Sequence, residues 1–475
     1  MDFAERFNRV KTLAEEHGQG HLLTFWDGLC DSHKENLLSE LEKLDFAAID
    51  EYIAKYVKNS QSGSIPSNFE PAKAYSAERL RCQDKAKYDQ ALATGRQLIA
   101  DDKVAAFVVA GGQGTRLGFD GPKGDFPLSP IKNKTLFRIF AETIAATQKK
   151  YGCKLRWYIM TNPLNHAETV NIFERDNFYG LDKSQVYMFE QGMLPNFNGD
   201  GRILLCEKWQ LSRSPDGHGG SLRALHISGA LDDMQQHDIE YISYFQVDNP
   251  LINIFDPLFI GLHALDGSEM SSKALLKAGP KEKVGNFCLV DGKVTVIEYS
   301  DLPDELAEKR HEDGRLVFEL GSIAIHIINR KFVSKLNKGG FALPLHRAIK
   351  KIPYIDPDGN KIHPEKPNGI KLESFVFDAL PLAKKSIILE TVRSDEFAPV
   401  KNATGIDSPQ VTRRMMSQRA ASWLESAGIT VPRKPDGSVD AIIEIAPAFA
   451  ICAEDVKEKK DRIAAIKAGS KIYLE

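Results

Sequence analysis

Four apolar runs of strand length, separated by three amphipathic stretches, constrain this chain more than any other feature. "VAAFVVA" (104–110), "KLRWYIMT" (154–161), "SQVYMFEQ" (184–191) and "IEYISYFQVD" (239–248) alternate with "TLFRIFAETIAATQKKY", "HAETVNIFERDNFYG" and "SLRALHISGALDDMQQ". Parallel neighbours need a crossover long enough to hold a helix, so this alternation reads as βαβ units in a mainly parallel sheet. Ligands of such sheets bind beyond the carboxyl ends of the strands. The first run leads into a glycine loop, the third into "EQGMLP" and the fourth into "VDNP".

The flanks read differently. In "LCDSHKENLLSELEKLDFAAIDEYIAKY" apolar residues recur every three or four positions, with Ser32 as the expected cap, so the first hundred residues are expected to be helical. Turn-forming residues interrupt them at 60–71. Beyond residue 280 come hairpin signals, with turns at Asp291-Gly292 and Asp358-Gly359, and the last eighty residues suggest a small β-rich region. A chain of 475 residues exceeds one ordinary core of roughly 100–200 residues. We expect a helical region over 1–100, a central domain over 101–395 and a small terminal domain over 396–475.

Composition excludes several classes. A net charge of −3 gives no overall attraction to nucleic acid, so any anionic ligand must be met by local cations. No run approaches the ~20 apolar residues that span a bilayer, and the mixed charges of the first twenty residues do not resemble a signal peptide. The expectation is a soluble, cytoplasmic protein with no membrane partner. The six cysteines form no C-x-x-C pair and read as reduced core thiols, not as a zinc site or disulfide framework.

The glycine loop, "VVAGGQGTRLGFDGPKG" (108–124), carries the chemistry. Closely spaced glycines after a strand let backbone N–H groups approach a phosphate. A Walker A loop is absent, because Lys123 follows Pro122 and precedes Gly124. Gly112, Gly114 and Gly118 give G-x-G-x-x-x-G, compatible with an NADP-binding reductase, but that reading leaves Arg116 and Pro122-Lys123 unused, and "WYIMTNPLNH" ends without an acidic residue or arginine for the ribose. G-x-G-T-R-L with P-K four residues beyond brings two cations to one loop, and it resembles the signature of nucleotidyltransferases that join a nucleoside triphosphate to a sugar-1-phosphate. Asp248 ends an apolar strand, where a carboxylate needs a partner, and a hard divalent cation bridging phosphates would supply one.

"WYIMTN" (157–162), "QGMLP" (191–195), "PDGHGG" (215–220), "VDNPL" (247–251), "VIEYS" (296–300), "KPNGIKLESFVFD" (366–378) and "DEFAPVKNA" (395–403) follow in order. With the loop, they resemble the eukaryotic-type UDP-N-acetylhexosamine pyrophosphorylase family over residues 100–405. That resemblance implies a Rossmann-like (GT-A-like) nucleotidyltransferase, with a central mixed sheet flanked by helices. The implied reaction turns UTP and a sugar-1-phosphate into UDP-sugar and pyrophosphate. Arg116 and Lys123 are then the catalytic cations, and Asp248 the ligand of Mg²⁺ or Mn²⁺. Uridine recognition is implied for Ala110, Gly111, Gly112, Gly114, Thr115, Gln191 and Gly217. Glu298, Tyr299, Phe375 and Phe377 fall on the sugar side, and Lys371 and Lys401 on phosphates.

Two positions depart from the family pattern. His218 stands where P-D-G-N-G-G is usual, and "LGSIAIH" (320–326) replaces A-G-N-I-A-N-H, so His218 and Ser322 occupy asparagine positions expected to touch the hexosamine. N-acetylglucosamine-1-phosphate is the first expectation for the sugar, with glucose- or galactose-1-phosphate or a broader range as the alternative. A non-catalytic UDP-sugar sensor would not need Arg116, Lys123 and Asp248, all of which are present.

Overall fold

The computed structural model describes residues 2–59, 68–76 and 84–475. Most of the turn-rich stretch at 60–71, and Cys82, lie outside them. The chain forms two compact units: a smaller one from Met1–Ser64, Gly192–Ser221 and Leu343–Val376, and a larger one from Ile65–Gln191, Leu222–Ala342 and Phe377–Glu475.

The larger unit is built on a ten-stranded sheet. Its strands are β1 (Glu70–Pro71), β2 (Val104–Val109), β3 (Trp157–Thr161), β4 (Val186–Glu190), β5 (Tyr241–Gln246), β6 (Met270–Leu276), β7 (Gly285–Val290), β8 (Lys293–Ile297), β9 (Leu320–Asn329) and β10 (Ile388–Thr391). The main order is β1-β7-β9-β5-β2-β3-β4. Strands β5, β2, β3 and β4 run parallel, as the alternating pattern requires. β9 joins β5 antiparallel and also pairs with β6 and β7, so the sheet is mixed.

Every residue of β3 is buried, as are the first five of β2. Strands covered on both faces read as continuous apolar runs, which is why these stood out in the sequence. Helix α1 (Lys85–Ala100) and helix α2 (Leu136–Tyr151) flank this core with α3 (His166–Arg175) and α4 (Pro257–Leu265). Thr135 accepts the Arg138 amide at the start of α2, and Gly152 ends it at φ +70°. α1 and α4 cross with backbones in contact: a Cβ on Gly261 would lie 1.7 Å from Ala91 O.

Asp291 and Gly292 turn the β7–β8 hairpin with φ of 50° and 74°, the conformation that an Asp-Gly pair favours. Near the C-terminus, α5 (Pro409–Ser426) packs with β11 (Ala441–Ile445) and β12 (Ser470–Leu474), which pair parallel, around Leu424, Ile443, Phe449 and Val456.

In the smaller unit, helices Phe3–Glu16, Asp31–Glu42 and Phe46–Tyr52 share a core with Phe197, Ile203, Ile370 and Leu372. Gln19 ties the segments together: its amide donates to Gly201 O and accepts from Ile203 N. Two sequence expectations need correction. Ser32 does not cap the second helix; that helix begins at Asp31 with Cys30 at the capping position. The five described cysteines are unpaired, but only Cys288 is a buried core thiol and Cys30 is exposed, because it stands on the surface just ahead of a helix. Among the described residues, no helix is long and apolar enough to cross a membrane.

Candidate active site

Strand register sets the stage. Val109 lies opposite both Met160 and Gln246, so β2, β3 and β5 end at one edge of the sheet. The glycine loop, Asn162, Gln191 and Asp248 all leave the larger unit's sheet there.

The loop is closed by its own backbone. Lys123 N donates to Gly112 O at 3.0 Å, Gly114 N to Gly121 O at 2.9 Å and Leu117 N to Gly114 O at 2.8 Å. Gly114 and Gly124 are required by packing, since a Cβ would stand 2.7 Å from the Phe119 ring in the first case and 2.1 Å from the Phe137 ring in the second. Two asparagines hold the carbonyls of the first turn. Asn165 Nδ2 donates to Ala110 O at 3.2 Å, and Asn162 Nδ2 donates to Gly111 O. A trans peptide points its N–H opposite its carbonyl. With the carbonyls of Ala110, Gly111 and Gly112 engaged, the amides of Gly111, Gly112 and Gln113 face away from those partners, and none has a hydrogen-bond partner among the described residues. Consecutive outward amides form a concavity suited to phosphate or carbonyl oxygens.

Gln191 seals one side. Its amide donates to Thr161 O, and its side-chain Oε1 would be 3.0 Å from a Cβ on Gly111, leaving glycine as the residue that fits. A buried glutamine amide offers one donor face and one acceptor face, the complement of a pyrimidine edge.

The cations lie on the same loop. Arg116 is exposed, with no ion pair among the described residues, and Thr115 beside it is exposed too. Lys123 Nζ stands 3.9 Å from Asp248 Oδ2, and both side chains are mostly buried. At that distance charge is balanced without a hydrogen bond, so Asp248 keeps lone pairs free for a further cation. The main chain of Asp248 is fixed by Val400 N at 2.8 Å. Nearby, the amides of Lys401 and Asn402 converge on Asp407 O at 2.7 and 3.1 Å. Burial pushes the Asp407 carboxyl above its ordinary range; Asp248 adds to the rise and Lys401 opposes it. Among the described residues there is no cluster of three or more metal-ligating side chains. Mg²⁺ commonly takes one or two protein carboxylates and fills its shell with water and phosphate oxygens, and Asp248 fits that mode.

The sugar-side residues are divided between the units. On the larger, Ser322 of β9 faces Gly285 across the ladder, and Glu298 Oε1 would be 3.5 Å from a Cβ there, so Ser322 and Glu298 share one neighbourhood. Ala324, two residues on, has φ +54° at an irregularity in the β6–β9 pairing. Tyr299 is 46% exposed and available, whereas Phe377 is buried. On the smaller unit, the His218 and Phe375 rings stack at 5.3 Å, and His346 stacks on Phe375 at 4.4 Å. Val376 N donates to His218 Nδ1 at 3.1 Å, so the neutral ring carries its proton on Nε2. Gly217 adopts φ +84° against Ser374, and Lys371 pairs with Glu373.

Sequence reasoning missed Asn162, Asn165, His346 and Asp407. "TNPLN" did signal a turn between strand and helix, and the spacing of its asparagines was the available clue. His346 gave none, because its partner Phe375 is remote in sequence.

Residues 49–469 match the family described as UTP–glucose-1-phosphate uridylyltransferase. The UDP-N-acetylhexosamine pyrophosphorylase-like protein 1 of Xenopus tropicalis is 38% identical over 439 residues, 90% of this chain and 86% of that protein. The probable UDP-N-acetylglucosamine pyrophosphorylase of Dictyostelium discoideum is 35% identical over 469 residues, 95% of each. Among solved structures, the uridine diphosphate N-acetylglucosamine pyrophosphorylase of Trypanosoma brucei in complex with inhibitor gives a TM-score of 0.81 at 25% identity, covering 100% of this chain and 98% of that one.

Proposed function

The chain belongs to the UTP–glucose-1-phosphate uridylyltransferase family and is a UDP-sugar pyrophosphorylase, and from that premise we propose that it joins UTP to N-acetylglucosamine-1-phosphate, releasing pyrophosphate. The single observation that carries the reading is the meeting of outward loop amides, Lys123 and Asp248 at one edge of the sheet. Whole-length similarity to relatives named for N-acetylhexosamine substrates supports the choice of sugar.

A phosphate monoester is already largely dianionic near pH 7, so its oxygen attacks the α-phosphorus without a general base. The new O–P bond forms as the bond to the β-phosphate oxygen breaks, and the electron pair leaves with pyrophosphate. Catalysis then depends on position and charge neutralisation. Loop amides hold phosphate oxygens, Gln191 reads uracil, and Arg116 and Lys123 meet the charge growing on the leaving group. Asp248 would hold Mg²⁺, which supplies charge neutralisation on the phosphates. On the larger unit, Lys401 is assigned to the sugar phosphate and Glu298 and Ser322 to the sugar; on the smaller unit, Lys371 and His218 carry the corresponding assignments.

A second reading, glucose- or galactose-1-phosphate, draws on His218 and Ser322 in place of the family asparagines. Pyrophosphate release from UTP with a panel of N-acetylhexosamine- and hexose-1-phosphates separates the two. Turnover of N-acetylglucosamine-1-phosphate is expected. If only hexose phosphates react, the second reading replaces the first.

A further inference from the structure

Beyond β5 the chain turns at Asp248-Asn249-Pro250, and in the larger unit the segment 396–400 is bonded to that turn. Two consecutive residues of the turn take three main-chain groups of the segment. Asp248 O accepts from Val400 N at 2.8 Å, while the buried Asn249 side chain donates from Nδ2 to Glu396 O at 2.7 Å and accepts at Oδ1 from Ala398 N at 3.1 Å. Bonds on alternate residues are those of a strand on its neighbour, and Phe397 is extended. An amide side chain offers the donor and the acceptor of a peptide group, so Asn249 stands in for a residue of a neighbouring strand.

These bonds exceed what a turn requires. Oδ1 also accepts from Leu251 N at 3.3 Å, which closes the turn locally, and a shorter polar side chain such as serine can do the same. Donation to Glu396 O needs the amide. Glu396 is fixed from its other end as well: its carboxylate accepts from fully buried Lys273 at 2.5 and 2.6 Å, from Thr391 Oγ1 at 2.6 Å and from Asn253 N at 3.2 Å. Lys273 also pairs with Asp256 at 2.6 Å. Buried polar groups that satisfy one another rigidify what they join, and here they tie the segment to the 248–256 stretch by main chain and side chain alike. Lys401 follows directly, with its amide on Asp407 O. A slip of the segment by one residue would carry Lys401 about 3.3 Å, the length of a hydrogen bond.

We propose that Asn249 is a positioning residue: by holding Glu396 and Ala398 it sets the place of Lys401 relative to Asp248, and so relative to the phosphate of the sugar-1-phosphate. It acts through Lys401. The role rests on the assignment of Lys401 to that phosphate, and it is separate from the grip on UTP, which the glycine loop and Gln191 supply.

Full chains carrying Asn249→Ala, Asn249→Ser, Lys401→Ala or Thr391→Val are compared with the parent, using N-acetylglucosamine-1-phosphate, or glucose-1-phosphate if the parent turns over only that. Asn249→Ala should raise KM for the sugar phosphate about five- to tenfold, the scale of one buried hydrogen bond, with KM for UTP within about twofold. Asn249→Ser keeps a hydroxyl for the turn, lacks the amide for Glu396, and should shift the ratio of the two KM values in the same direction. In both, hydrogen exchange read by mass spectrometry should quicken in the peptide holding Ala398 and Val400 and stay as in the parent in the glycine loop. Thr391→Val loosens Glu396 from outside the Asn249 contacts; it should lower the thermal midpoint and leave the KM ratio alone. Lys401→Ala should raise the ratio by at least as much as Asn249→Ala. The proposal is overturned if the folded Asn249 variants keep the parent's exchange at 396–400 or its KM ratio, or if Thr391→Val changes that ratio equally. An unchanged ratio in Lys401→Ala takes that lysine off the phosphate and the proposal with it, whereas a raised ratio there beside an unchanged one in the Asn249 variants overturns the proposal alone.

Discussion

Lys123 Nζ lies 3.9 Å from Asp248 Oδ2, two opposite charges delivered by neighbouring parallel strands to one end of the sheet. The pair is close enough to neutralise in the resting protein and too long to be a hydrogen bond, so neither group is locked away from a triphosphate. Lys123→Ala should lower kcat by about 100-fold or more, the scale of removing a preorganised stabilising group, and Arg116→Ala should do the same. Asp248→Asn should raise the Mg²⁺ concentration needed for half-maximal rate. Steady-state pyrophosphate release against metal concentration checks all three. An unchanged metal response in Asp248→Asn would remove that residue from the metal.

Two glycines of the loop separate binding from packing. A Cβ on Gly112 meets nothing closer than Lys123 Cε at 3.8 Å, so Gly112→Ala should unfold at the parent's midpoint, within about 0.5 kcal/mol. Its KM for UTP should nevertheless rise, because the methyl group would occupy space that the proposed function gives to the nucleotide. Gly124→Ala drives a methyl into the Phe137 ring and should cost about 1–3 kcal/mol of stability. Thermal melts with and without UTP distinguish the effects; an unaltered KM in Gly112→Ala would place the nucleotide elsewhere.

His263, on α4, is fully buried, with Nδ1 2.7 Å from Ser271 Oγ and Nε2 without a partner among the described residues. Burial lowers its pKa from 6.5 to about 3. The folded state therefore keeps the ring neutral where the unfolded chain gains a proton. Stability contributed this way is intact above pH 6.5 and is lost as pH falls from there towards 3. At one pKa unit per 1.36 kcal/mol, the loss by pH 4.5 is at most about 3 kcal/mol. Denaturant midpoints of the parent and of His263→Leu at pH 7 and pH 4.5 test this: the gap between them should narrow in acid. Parallel pH dependences would show that the ring's proton is irrelevant.

Much of the larger unit was legible because its signals are local. β2 and β3 are buried on both faces, and each announces itself as an unbroken apolar run. The Asp291-Gly292 turn declared its hairpin through backbone conformations few other residues accept. The smaller unit is another matter. Gln19 reaches Gly201 and Ile203 across some 180 residues of chain, and pairings of that kind leave no trace in periodicity or turn chemistry. Likewise, the loop's glycines and cations could be read directly, but the asparagines that turn its carbonyls away from the ligand face act through side-chain geometry. Asp407 escaped notice for a related reason: only the folded 401–407 loop brings its charge near Asp248.

His218 is where the product is most open to change. Its Nδ1 accepts from the Val376 amide, so a neutral ring has its one N–H at Nε2 and no ring acceptor left. Asparagine at that position would offer both an amide donor and a carbonyl acceptor, and the acceptor is what the N–H of a 2-acetamido group requires. A site with a polar group matched to its substrate discriminates more strongly than one without. His218→Asn should therefore raise the ratio of kcat/KM for N-acetylglucosamine-1-phosphate to that for glucose-1-phosphate, by about tenfold for one added hydrogen bond. Loss of the stack on Phe375 would lower both rates together, and a ratio cancels that common loss. Competition assays with both sugars and limiting UTP read the ratio directly. If it does not move, His218 supports Phe375 and the chain's sugar choice is made elsewhere.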